Sequence, residues 1–550
     1  MKKIFLFLLL ILTAHSLMAQ RLIRRNSRHY VAAQSLPDRV EPLLTDVWDQ
    51  YAPFNNMCPA DSTGERCVVG CVATAMTQVM RYWQWPQRGI GSFEYTDSTG
   101  CQQTLKADFS AHTYDWGNML DRYVEGQYNQ KQADAVAQLS LDCGIAVKMR
   151  YSVLESGARS IYQPMALANY FDYDRGVQQY FRDFYSLEEI TLMLKQELAA
   201  GRPVLVSGYN YNGGHAYVID GYDEEDQFHI RLGNPGLDGD TWTSLPEMVP
   251  DQPTWYTKGN PESGMNMLQM FTLGIMPSNH AQATGIERHN FAFQYICAVT
   301  DSIKPSPVYP RNQVALTVHD LSNMGWNLHT DSVSLMLKKG DDIICPLYTY
   351  DREFLLEEVD DTTYNDTLQL TIPATVKDGA YTVVPMYRDN ALNGGKEWRE
   401  ALTCTGTPNY LIAKVEKNTV TLQSDTVSTA YLTLEDIDFP DLFINGEAPD
   451  FSLTFKNHNA EMAGIFYLLM EPVGANGRAF YLQYQGLTMM KDEVSKRQFH
   501  KTKVNASRGD YRLHVLYQST LFADDLIELE LPEEIIVTVQ YISAIQIAQR

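Results

Sequence analysis

Residues 66–83 read RCVVGCVATAMTQVMRYW, and how this stretch is read decides the fold of the first half of the chain. Val72, Met76, Val79 and Trp83 recur at steps of four, three and four, the apolar stripe of an amphipathic helix, and the Trp85–Pro86 pair ends it. Gly70 and Cys71 therefore stand at the mouth of the helix, where the positive end of the macrodipole favours a thiolate. A nucleophile belongs there, but an ordinary buried cysteine fits the same pattern, so the decision rests on a partner elsewhere.

Working outward, ADAVAQLSLDCGIAV (133–147) and SLEEITLMLKQELAAG (186–201) also read as helices, the second with Ser186 as N-cap, Glu189 at the capping-box position and Gly201 as the stop. The period then changes. RPVLVSGY, GHAYVIDGYD and QFHIRL are short β-rich runs separated by glycines and an acidic turn, so a sheet follows the helices. His215 opens the second of these runs directly after Gly213 and Gly214, which let another backbone or a substrate approach closely. It follows Cys71 by 144 residues, inside the interval of about 130–150 that separates a papain-type cysteine from its histidine. Upstream, DVWDQYAPFNNMCP (46–59) offers Gln50, whose amide is a candidate oxyanion donor beside the Cys71 backbone N–H; a surface glutamine is the alternative.

WDQYAPFNNMCP, RCVVGCVATAMTQVMRYW, the DCGIAV and SGAR segments, ALANYF, GRPVLVSGY and GGHAYVIDGYD occur in this order between residues 40 and 245. Together they resemble the streptopain family of bacterial papain-like cysteine peptidases. The resemblance implies a fold with a helical half and an antiparallel sheet half, Cys71 as nucleophile, His215 as general base and Gln50 in the oxyanion hole. It implies a secreted endopeptidase acting on proteins or peptides without metal or organic cofactor. Two departures stand out. Only a short segment separates the N-terminal apolar run from the WDQ stretch, where the family carries a sizeable pro-domain. The run after the histidine strand reads FHIRLGNPGLDGDTW, with Arg231 and Leu232 where the family has asparagine and tryptophan. Asn234 is then the candidate for orienting the His215 ring, with Arg231 turned to solvent or to the acids at 223–226; Trp242 either shields the pair or fills the core.

The chain opens MKKIFLFLLLILTAHSLMAQ, two lysines, a short apolar run and small residues, the layout of a secretory signal cleaved after Ala19. RLIRRNSRHY (21–30) is a basic pro-segment or N-terminal arm. No later segment reaches the roughly 18 apolar residues of a membrane-spanning helix. A net charge of −23 argues against nucleic acid as a partner, which needs clustered Lys and Arg. The eight cysteines contain no C-x-x-C pair and no histidine at ligand spacing nearby, which makes a zinc site a poor reading of them. Export permits a disulfide between Cys58 and Cys67.

After about residue 285 the chain turns to short strands such as QVALTVHDL, DSVSLMLKK, FSLTFKN and GIFYLLME, a β-sandwich pattern of the immunoglobulin-like kind. DGAYTVVPMY (378–387) and RGDYRLHVLY (508–517) echo each other, each with tyrosines two and eight residues after a glycine, so two such modules are expected. The expected fold class is α+β, organised as a signal at 1–19, an arm at 20–39, a papain-like domain at 40–283 and β-sandwich modules at 284–420 and 421–550. The modules offer a surface to a host or bacterial ligand, and every candidate catalytic group precedes 245, so they are expected to be separable from catalysis. The competing function is a peptidase-like binding or adhesion protein whose chemistry is impaired. A transglutaminase or amidase would share the thiol chemistry but has no positive signal.

Overall fold

The computed structural model describes residues 36–210, 213–233, 241–248, 264–299, 307–326, 332–351, 366–388, 397–405, 407–424, 432–458, 461–474, 477–499, 503–518 and 526–541. The expected helix spans Cys71–Trp83 (α1) and buries Val72, Met76 and Val79. It packs with Gln130–Ala146 (α2) and Tyr162–Tyr170 (α3) around one apolar cluster that holds Val136, Leu139, Ile145, Ala166 and Leu167. Helix α2 begins earlier than its apolar period announces, because Asn129 and Gln132 form a reciprocal capping box. Leu187–Ala199 (α4) carries the expected Ser186 and Glu189 box.

The six-stranded antiparallel sheet consists of Gln178–Phe181 (β1), Val204–Asn210 (β2), Gly213–Tyr222 (β3), Gln227–Arg231 (β4), Thr241–Ser244 (β5) and Met267–Leu273 (β6), in the order β1-β6-β2-β3-β4-β5. Alternation along the strands places it between two cores. Leu205, Ala216 and Val218 join the cluster of α1–α3, while Val204, Val206, Tyr217 and Ile219 face a second cluster with Ile190, Met193 and Leu194 of α4. The N-terminus of α1 thereby meets the start of β3, so Cys71 and His215 are carried by elements from different layers.

Beyond residue 285 the described residues form strands and no α-helix. A sheet of Tyr295–Ala298, Val314–His319 and Asp366–Leu370 shares one cluster with a larger sheet containing Val333–Lys339, Gly379–Arg388, Leu411–Glu416 and Thr419–Ser424. Further on, Leu432–Asp438, Phe451–Asn457 and Val494–Phe499 share another with a sheet containing Met462–Pro472, Phe480–Met489, Gly509–Gln518 and Ile536–Gln540. The echoed segments occupy corresponding strands. Tyr381 Oη donates to Lys377 O at 2.8 Å, and Tyr511 Oη donates to Ser507 O at 3.0 Å, the same back-bond over four residues. Thr419–Ser424 pairs with Leu411–Glu416 in the first unit, so this strand lies across the 420/421 division while the expected boundary region of about 415–430 extends beyond it.

The later units pack against the peptidase-like region, so their removal bears on stability as well as on the expected separability from catalysis. Trp326 is 4% exposed within the α1–α3 cluster, with its indole donating to Val177 O at 2.6 Å and Arg175 over its ring. Ala292, Met324 and Leu402 complete the α4 cluster, and Arg182, 4% exposed, pairs with Glu461 at 2.8 Å. A chain ending at 283 is therefore expected to unfold at distinctly lower urea than the full chain, since loss of Trp326 alone costs about 3–5 kcal/mol. Equal urea midpoints for the two chains would contradict this packing.

Candidate active site

Gly70 sets the entry to α1 with φ +90°, and an added Cβ there would lie 2.6 Å from Met149 Sδ and 3.0 Å from Ser156 O. The backbone must turn through the left-handed region in a space that admits no side chain, so glycine is required. The first residue after that turn is Cys71. Its side chain keeps some surface on a cavity of about 580 Å³, whose lining also includes Gln50, Lys148, Ser156, Tyr209 and His215. Burial pushes the Cys71 thiol up, while the N–H groups of Ala216, Val72 and Cys71 itself favour the thiolate and Glu155 opposes it.

His215 is 3% exposed near the start of β3, opposite Gly208, and its ring lies parallel to Tyr217 with centroids 6.2 Å apart. Nε2 is 2.7 Å from Leu232 O. A carbonyl only accepts, so Nε2 carries the hydrogen and Nδ1 keeps its lone pair in the neutral ring. Burial lowers the imidazole to about 4, with the Leu232 carbonyl pulling the other way. Gln50 is 9% exposed; its backbone carbonyl accepts from Val69 N at 3.0 Å, two residues before Cys71, and its Nε2 donates to Gly233 O at 3.5 Å. The structure thus brings Cys71, His215 and Gln50 to one cavity. Asn234, the expected orienting residue, lies outside the described residues; among those described, the Leu232 carbonyl accepts the hydrogen bond from His215 Nε2.

Arg231 does not turn to residues 223–226. Its guanidinium donates to Leu44 O at 2.6 Å and Asp46 O at 3.2 Å, and reaches Asp220 Oδ2 at 3.4 Å. Asp220 also accepts from Leu44 N at 2.9 Å and faces His229 Nδ1 at 2.5 Å. The cation is thus absorbed by a buried network that pins the segment before Gln50 to β3 and β4, and it does not oppose charge on His215. Beside it, Asp46 is 1% exposed, and burial raises its carboxyl to about 7. Trp242 packs against His229 at 5.1 Å and under Arg39, and it is not part of the cavity lining. Cys58 and Cys67 are both buried and free, so the permitted disulfide is not formed.

Sequence reasoning gave no role to residues 148–162, although the structure makes them one wall of the cavity. The available signal was Lys148 at the end of α2, where a helix usually finishes on glycine; Lys148 has φ +55°.

Residues 48–242 match the family model described as the Peptidase C10 family. The chain is 31% identical over 240 residues to streptopain of Streptococcus pyogenes, covering 43% of this chain and 58% of streptopain. It is 30% identical over 262 residues to the thiol protease/hemagglutinin PrtT of Porphyromonas gingivalis, covering 46% of this chain and 29% of PrtT. The chain thus spans less than two thirds of either relative. Among solved structures, the active wild-type interpain A cysteine protease of Prevotella intermedia is 33% identical, over 44% of this chain and 96% of that one, with a TM-score of 0.39. Residues 48–242, which carry Cys71, His215 and Gln50, are thus the part of the chain that is similar to the Peptidase C10 family and to streptopain.

Proposed function

We propose that the chain is an exported cysteine endopeptidase that hydrolyses peptide bonds of proteins through Cys71 and His215. One observation carries the reading: a helix-mouth thiol and a histidine whose Nε2–H is held by a carbonyl, leaving Nδ1 as the base, share one cavity. His215 Nδ1 takes the Cys71 proton, and the thiolate attacks the peptide carbonyl carbon. The oxyanion is bound by the Cys71 N–H, one of the unpaired donors of the first helical turn, and by the Gln50 amide. The imidazolium returns its proton to the leaving amine, and the thioester is then hydrolysed by a water that His215 deprotonates. The orienting role is assigned to the Leu232 carbonyl, and Asn234→Ala tests whether that amide adds to the hold. Export through the signal at 1–19 belongs to the same proposal. So does an immunoglobulin-like sandwich reading of the two C-terminal units, supported by their paired tyrosine back-bonds.

The test is digestion of an unfolded protein, with new termini identified by mass spectrometry. Cleavage abolished by prior alkylation of Cys71 supports the reading; an intact substrate overturns it in favour of a binding protein. The pH dependence follows from His215. Above about 4 the ring is neutral and can accept the thiol proton; below that value it is protonated and the base is lost. The acid limb of kcat/KM is expected near pH 4, well below the ordinary histidine value of about 6.5. A limb at 6.5 would contradict the burial of the ring.

A further inference from the structure

We propose that the cavity wall formed by residues 148–162 is a subsite for an acidic substrate side chain close to the scissile bond; this rests on the peptidase reading above. Among the described residues of the lining, three cations, Lys148, Arg150 and Arg159, stand against one carboxylate, Glu155. They do so in a chain of 67 acidic and 44 basic residues, whose overall field repels an acidic substrate. The local reversal of sign is therefore a property of this wall and not of the surface at large.

The wall is built to present these charges. Lys148 follows the last turn of α2 in the left-handed region, where a side chain costs about 1–2 kcal/mol and glycine is the usual occupant. Its ammonium lies 4.4 Å from the centre of the Tyr162 ring and 3.4 Å from Tyr162 Oη, so it is held against the cavity lining. Arg150 and Gly157 exchange backbone hydrogen bonds of 2.9 and 3.1 Å, which close residues 150–157 into a narrow loop and bring Arg150 and Arg159 to the same wall. Among the described residues, neither Arg150 nor Arg159 enters an ion pair, and both are exposed. An arginine offers a planar fork matched to a carboxylate, and Lys148 adds a point charge behind it.

The experiment compares matched fluorogenic peptides that carry Glu or Gln at each position flanking the scissile bond. Wild type is expected to favour Glu at one position by about tenfold in kcat/KM, the size of one charge-assisted hydrogen bond, and the ratio should fall as salt is raised. Arg159→Glu and Arg150→Glu should invert the ratio, and Lys148→Met should reduce it, while Lys106→Gln, remote from the cavity, leaves it unchanged. A Glu/Gln ratio near one at every position in wild type overturns the proposal. The same peptides are titrated against Cys71→Ala by fluorescence anisotropy. If wild type cleaves nothing but Cys71→Ala binds the Glu peptide more tightly, the subsite stands and the peptidase reading fails. No cleavage together with equal binding overturns the subsite as well.

Discussion

Cys71→Ala and His215→Ala are each expected to lower kcat/KM by about ten-thousand-fold or more, and the double variant by little beyond either single change. In the proposed mechanism the two side chains act as one unit: the thiol has no base without the imidazole, and the imidazole has nothing to activate without the thiol. Burial raises the Cys71 thiol and lowers His215 to about 4, so each group alone is held in its uncharged form. Removing His215 therefore leaves a thiol that ionises only at high pH, through the amides of Ala216 and Val72. Both variants should unfold at nearly the wild-type urea concentration, which separates lost chemistry from a lost fold. Retention of more than a hundredth of wild-type turnover in either folded variant would remove that residue from the mechanism.

The second large effect is expected at Gly70. Alanine there must adopt φ +90° and place its Cβ 2.6 Å from Met149 Sδ and 3.0 Å from the Ser156 carbonyl. Left-handed strain contributes about 1–2 kcal/mol and overpacking about 1–3 kcal/mol, so Gly70→Ala should lose about 2–5 kcal/mol of stability. Met149 is a flexible side chain and can retreat, but the Ser156 carbonyl belongs to the cavity wall. Relief of the clash therefore moves either Cys71 or that wall, and activity should fall further than stability explains. Gly70→Ala with wild-type stability and turnover would show that the tight turn is not needed to place the nucleophile.

What could be read in the sequence were the features governed by local period and spacing. The stripe of α1, the capping box of α4 and the β-rich runs around His215 each encode their structure within a few residues, and the structure forms them where expected. That Cys71 and His215 would share one cavity was legible because order and separation restrict which histidine can face the cysteine. What escaped depends on contacts between distant segments. Strand β6 lies between β1 and β2, although most of the sheet precedes it in sequence, and no local pattern announces that register. Arg231 was read against its neighbours at 223–226, whereas its partners Leu44 and Asp46 lie about 185 residues upstream. Trp326 stands in the strand-rich part of the chain, far in sequence from α1, yet it completes the cluster around that helix. The cavity wall at 148–162 was missed because a lysine after a helix resembles ordinary C-terminal charge until its backbone angle and its ring contact are seen.

The most direct measurement is labelling of the full chain with a peptide bearing an irreversible thiol-directed warhead, followed by mapping of all eight cysteines. Cys71 is the cysteine on the cavity with His215, whereas Cys58, Cys67, Cys143 and Cys404 are buried. One peptide per chain on Cys71, with proteolysis lost in proportion and labelling suppressed in His215→Ala, is the expected result. Labelling at another cysteine, or at Cys71 at the same rate in His215→Ala, would contradict the assignment of the thiol and imidazole as one catalytic unit.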